Sequence, residues 1–173
     1  MANPVQSEHT EDILDNLQYQ GSSNDCGPYT TATVINAMRQ QNLVGDELAD
    51  QMNKPRLRGI LPVIRRIPNW ATFPWGMVDV FRDFNLQARW WLRVPVSYLR
   101  PAIDNGHILM PIIGEWRPKP WAHVMTLVAW DPDKGWGFAN TQFSHRNISW
   151  RPDEDFQEKW NRYARLLVEI EKP

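Results

Sequence analysis

The stretch QGSSNDCGPYTTATVINAM, residues 20–38, holds the only cysteine of the chain, Cys26. A lone thiol ordinarily packs as a small apolar group inside a core. Here it follows the polar run Gly21-Ser22-Ser23-Asn24-Asp25 and directly precedes Gly27-Pro28. Beyond it, Ala32, Val34, Ile35, Ala37 and Met38 recur at roughly helical spacing, which predicts a helix over 27–41. Asn24 and Asp25 are capping candidates, and Pro28 falls in the first turn, where its missing N–H costs nothing. The thiol is thus expected at a helix N-terminus. That position is poor for packing and favourable for a thiolate, because unpaired N–H groups and the helix dipole stabilise negative charge.

Working outward from this helix, Gly45–Met52 and Gly76–Phe84 read as two further helices. The second half changes character. Residues 86–94, 107–116, 122–130 and 136–141 read as strands, with the turn Asp131-Pro132-Asp133-Lys134-Gly135 between the last two. Short helices are expected over 97–105, stopped by Gly106, and over 153–161, and a closing strand over 163–171. Helices first and an antiparallel sheet second predict an α+β fold, one domain over 1–173 with residues 1–16 as a polar extension.

Composition narrows the function. A chain of 173 residues suits one domain with a real core. The net charge is -1, and Lys and Arg are scattered apart from Arg56, Arg58, Arg65 and Arg66, so no nucleic-acid partner is expected. One cysteine makes neither an intrachain disulfide nor a Cys-rich zinc site. His9, His107 and His145 show no metal-ligand spacing with one another or with Cys26, so no metal or cofactor is expected. No apolar run reaches the ~18 residues of a membrane span. The compartment stays open, cytoplasmic or secreted with its signal segment absent, since no signal-peptide core is present. Ten tryptophans serve either a core or an aromatic cleft wall.

A thiol that attacks an acyl group needs a base, a group that orients the base, and donors for the oxyanion. His123 heads the apolar run His123-Val124-Met125-Thr126-Leu127, and Asn140 ends the next strand of the expected hairpin. Antiparallel pairing around the turn at 131–135 brings position 140 near 123 and 124. Asp131 is the competing orienter, but it sits at the far end of that hairpin. Gln20 lies one short loop before Cys26, so its amide is a candidate oxyanion donor beside the Cys26 N–H. Trp121, two residues before His123, is a candidate cleft wall that would bind substrate.

These residues carry a resemblance. LQYQGSSNDCGPYTTATVINAM together with HVMTLVAWDPDKGWGFAN resembles the papain-like cysteine peptidases, and more narrowly the bacterial double-glycine (bacteriocin-leader) peptidase-like family. The resemblance implies a papain-like fold, a peptide or protein substrate, and Cys26 as nucleophile. It further implies His123 as general base, Asn140 as third member and Gln20 as oxyanion residue. Asn140 stands where that family usually has Asp, the Gly-Ser-Cys-Trp context of papain is missing, and the Cys-to-His gap is shorter than papain's. Peptide hydrolysis through a thioester is the first expectation. Another acyl transfer on the same residues (amidase, deamidase or transglutaminase-like), or a catalytically silent binding domain, are the alternatives.

Overall fold

The computed structural model describes residues 3–171. In chain order its strands are β1 (Val5–Gln6), β2 (Arg56–Arg58), β3 (Leu61–Val63), β4 (Arg66–Ile67), β5 (Ala71–Thr72), β6 (Ala88–Trp91), β7 (Ile108–Glu115), β8 (Trp121–Val124), β9 (Thr126–Asp131), β10 (Gly135–Ala139), β11 (Ser149–Arg151) and β12 (Leu167–Ile170). Its helices are α1 (Thr10–Asp15), α2 (Cys26–Arg39), α3 (Gly45–Asn53), α4 (Pro74–Asp83), α5 (Val96–Asp104) and α6 (Asp153–Arg162). The mixed helix and antiparallel-sheet class expected from the sequence is what forms.

The main sheet runs β11-β10-β9-β7-β12-β6, with β8 also paired to β7 and β1 to β9. Strand β7 reads Ile-Leu-Met-Pro-Ile-Ile-Gly-Glu and is buried almost throughout. Its alternate residues divide between two cores, as a period-2 element covered on both faces must. Ile108, Met110 and Ile112 face Ala32, Val34 and Ile35 of α2 and Met77 and Phe81 of α4. Leu109 and Ile113 face Leu99 and Ile103 of α5 and Phe156 and Trp160 of α6. The sequence reading put the helical half against a sheet. The structure has helices on both sides of it, because α5 and α6 cover the second face.

Two sequence expectations change. Residues 1–16 are not an extension through their described part: Val5 pairs with Trp130, and Ile13 of α1 is buried in the α2-side core. Their polar composition hid the apolar anchors Val5, Ile13 and Leu14. The expected strand 122–130 is interrupted at Met125, between β8 and β9, although both pair with β7 in one register, Ile112 with Val124 and Leu109 with Leu127. Two small hairpins between α3 and α4, β2–β3 and β4–β5, have strands too short to show alternation in sequence.

Candidate active site

Cys26 is the first residue of α2, with Asp25 as its N-cap residue. Gly27 follows because nothing larger fits: a Cβ there would lie 2.4 Å from the Thr72 Cβ of β5. Helix start and hairpin are therefore in close contact. Asn24 strengthens it, donating from Nδ2 to the Asn69 carbonyl at 3.0 Å.

His123 lies in β8, 2 % exposed, and Asn140 follows β10, 3 % exposed. The ring Nε2 is 2.8 Å from Asn140 Oδ1. The backbone N–H of Gln142 also meets Asn140 Oδ1, at 3.0 Å. A backbone N–H can only donate, so this bond fixes which end of the Asn140 amide is oxygen. The oxygen facing His123 then requires Nε2 to carry the proton, which leaves the Nδ1 lone pair as the basic site.

A β-bulge makes this meeting possible. From Gly135↔Asp131 to Gly137↔Ala129 the β9–β10 hairpin keeps one register, then slips by one residue to Phe138↔Leu127 and Ala139↔Thr126. The unslipped pairing would set Asn140 opposite Thr126, on the face away from His123. The slip sets it level with Met125, which shares a face with His123.

Cys26, His123 and Val124 line one narrow cleft of about 50 Å³, walled by Trp70, Ile112 and Ala122. Trp121, the expected wall, is not among its lining residues; it is 37 % exposed, and its carbonyl accepts from the Tyr163 hydroxyl. Larger hollows of about 590 and 310 Å³ lie against α4 and β6, and neither contains Cys26 or His123.

Gln20 is buried and held on three sides. Its N–H donates to the Thr141 carbonyl at 2.9 Å, its Oε1 accepts from the Thr141 hydroxyl at 2.6 Å, and its Nε2 donates to the Ser23 carbonyl at 2.8 Å. One amide hydrogen is used by Ser23 and the other is left over. Gln20 does not line the cleft itself; Thr141 joins it to the segment that carries Asn140. Asp131, the alternative orienter, bonds the N–H groups of Asp133 and Lys134 in its own turn instead.

The charge state differs from the sequence expectation of a thiol ionised by its helix. Burial pushes the Cys26 thiol up; backbone hydrogen bonds from Val124 and Gly27 oppose this, Asp25 adds to it and Arg66 offsets it. Cys26 as a residue keeps some exposure, yet its surroundings strip away much of the water a thiolate needs. Burial also pushes His123 down to about 4, against the hydrogen bond with Asn140. Both groups rest neutral at pH 7.

Sequence reasoning missed Trp70, Thr141 and Arg66. Thr141 had a signal in its place next to Asn140. Trp70 and Arg66 had none, because two-residue strands bring them to the site.

No family model matches the chain, and no curated protein matches it in sequence. In three dimensions it is similar to a crystal structure from Bacillus anthracis, with a TM-score of 0.70 and 10 % identity over 99 % of each chain. That protein is described, provisionally, as a C39-like peptidase. The chain has a C39-peptidase-like fold. At 10 % identity the likeness is one of fold.

Proposed function

We propose that the protein is a cysteine peptidase of papain-like layout, with Cys26, His123 and Asn140 as its triad and Gln20 as oxyanion donor. The observation that carries this is the Nε2 to Oδ1 contact of 2.8 Å, which leaves Nδ1 as the basic nitrogen of a His123 that lines the same cleft as Cys26. The C39-like fold supports the same class of chemistry.

The reaction starts from a neutral pair. His123 Nδ1 takes the Cys26 proton as the sulfur attacks the peptide carbonyl, so the ion pair forms only with the new C–S bond. Asn140 holds the ring through Nε2–H and suits this order, since a neutral amide accepts that proton's hydrogen bond without forcing the imidazole to be charged beforehand. The N–H of Cys26 at the helix start is the first donor to the oxyanion, and the leftover Nε2 hydrogen of Gln20, which does not line the cleft in the resting chain, is the second once substrate is bound. Collapse breaks the C–N bond, the amine leaves with the proton from His123, and a thioester remains. Water, deprotonated by the same nitrogen, releases the acid and restores the thiol.

The test is a peptide library incubated with the wild-type chain, Cys26→Ser and His123→Ala, with mass spectrometry of the protein after acid quenching. Wild type should cleave and carry an acyl group on Cys26; both variants should do neither while keeping their fold. Cleavage by Cys26→Ser would overturn the nucleophile. A wild-type chain that neither cleaves nor acylates would indicate a silent binding domain. Acylation followed by transfer to an added amine, without hydrolysis, would indicate a transferase.

A further inference from the structure

The β4–β5 hairpin brings a buried arginine to the helix start. Arg66 has a side chain only 1 % exposed, and its guanidinium donates to the carboxylate of Asp25, itself 14 % exposed. Arg66 belongs to the strand before Trp70 and Asp25 directly precedes Cys26, so this bond joins the cleft wall to the nucleophile's own turn. Asn24 to Asn69 is a second tie between the same two segments. Asp25 makes no side-chain capping bond to α2, so its carboxylate is not occupied in closing the helix.

This is costly chemistry for a merely structural latch. An arginine stripped of water loses several kcal/mol of hydration, which a salt bridge recovers only partly. The Arg66 Nε also has no hydrogen-bond partner among the described residues. A methionine or leucine would fill the same space without that loss. An uncompensated carboxylate one residue before Cys26 would, however, oppose any negative charge on the sulfur.

We propose that Arg66 is a positioning residue for Cys26: it cancels the Asp25 charge beside the thiol and holds the Trp70 hairpin against the start of α2. The inference rests on Cys26 being the reacting thiol. The charged and titratable groups facing Cys26 are Asp25 from its own turn, Arg66 from β4 and His123 from β8. Asp25 resists ionisation of the thiol and Arg66 favours it.

The experiment is the rate of Cys26 alkylation by iodoacetamide against pH in the full chain, with folding checked by thermal unfolding. Asp25→Asn keeps an acceptor for the guanidinium and removes only the charge; the alkylation midpoint should fall by about one pH unit. Arg66→Gln should raise it by about one unit, and adding Asp25→Asn to Arg66→Gln should bring it back toward wild type. Arg66→Lys keeps the cation and should stay near the wild-type midpoint. If the Arg66 variants do not fold, Asp25→Asn decides alone. An unmoved midpoint in Asp25→Asn, or a Lys variant that shifts as far as the Gln variant, overturns the proposal. The readout needs no turnover. Shifts in a chain that cleaves nothing would refute the peptidase reading and leave the Arg66 role standing.

Discussion

At the scale of single residues, Asn140 decides which nitrogen of His123 is basic. Its oxygen serves two donors, the His123 ring and the Gln142 backbone, so the amide cannot turn without losing both. Asn140→Asp keeps the geometry and adds a negative charge beside the ring. A carboxylate favours the charged imidazole, so the His123 value rises from about 4 and the acid limb of the pH–activity profile moves up with it. We expect the Asp variant to stay active with this shift. Asn140→Ala should lose less activity than His123→Ala, because the ring can still reach the productive pose. Steady-state rates between pH 3 and 9 check both statements. Wild-type rates and an unmoved profile in Asn140→Ala would reduce Asn140 to a turn residue. Gln20 shows how little of a residue's setting a sequence reveals. The reading placed its amide near Cys26, and nothing in the sequence signalled that its oxygen accepts from the Thr141 hydroxyl, 121 positions away.

At the scale of elements, the site depends on two contacts between short segments. One is the slip in the β9–β10 hairpin. The other is the approach of α2 to β5, which glycine permits at position 27. Gly27→Ala would drive a methyl into the Thr72 side chain, whose Cβ, Oγ1 and Cγ2 would all lie within 2.7 Å. Overpacking of this kind costs about 1–3 kcal/mol. Relief by moving the hairpin would also displace Trp70 from the cleft. We predict a lower denaturation midpoint together with lost turnover in Gly27→Ala, and partial recovery of both in Gly27→Ala with Thr72→Gly. Recovery of neither would mean that the clash is not with Thr72. In sequence, by contrast, α2 was legible almost to the residue, as 27–41 against Cys26–Arg39. Its apolar spacing and its start signals are local. The hairpins β2–β3 and β4–β5 were not legible, because two or three residues carry no period and their stability comes from what they pack against.

At the scale of the whole molecule, buried titrating groups tie stability to pH. His123 ionises near 6.5 when unfolded and near 4 when folded. Between those values the unfolded chain binds the proton and the folded chain does not, so stability is lost as pH falls through that window. The loss reaches about 3 kcal/mol if the ring is otherwise undisturbed. Glu169, fully buried in β12, follows a different rule. Burial raises its carboxyl, but hydrogen bonds from Tyr98, His107 and Arg89 outweigh burial and leave it lowered. A lowered carboxyl contributes stability above its unfolded value, and that contribution is lost as pH falls below about 4. Thermal unfolding from pH 8 to 3 should therefore show two stages of decline. His123→Gln should remove the upper stage and Glu169→Gln should weaken the lower, to which Asp155, also held low by Lys159 and Arg151, contributes as well. A His123→Gln curve parallel to wild type between pH 6.5 and 4 would contradict the buried neutral ring.

By itself the sequence determined the elements that carry their own period and pointed to the residues of the candidate site. Helix α2 with Cys26 at its start, the strand β7, and the hairpin joining His123 to Asn140 all follow from local spacing and turn chemistry. Only the tertiary structure decided the rest. It put Asn140 on the same face as His123 through a one-residue slip, since side chains alternate and no turn sequence reports a bulge several residues away. It left both Cys26 and His123 neutral, since burial is a property of the whole packing and outweighs the helix start that the sequence displays. It also chose Trp70 over Trp121 for the cleft, and placed Arg66 against Asp25. These are meetings of segments far apart in the chain, and what settles them is how the hairpin, the helix and the sheet exclude water from one another.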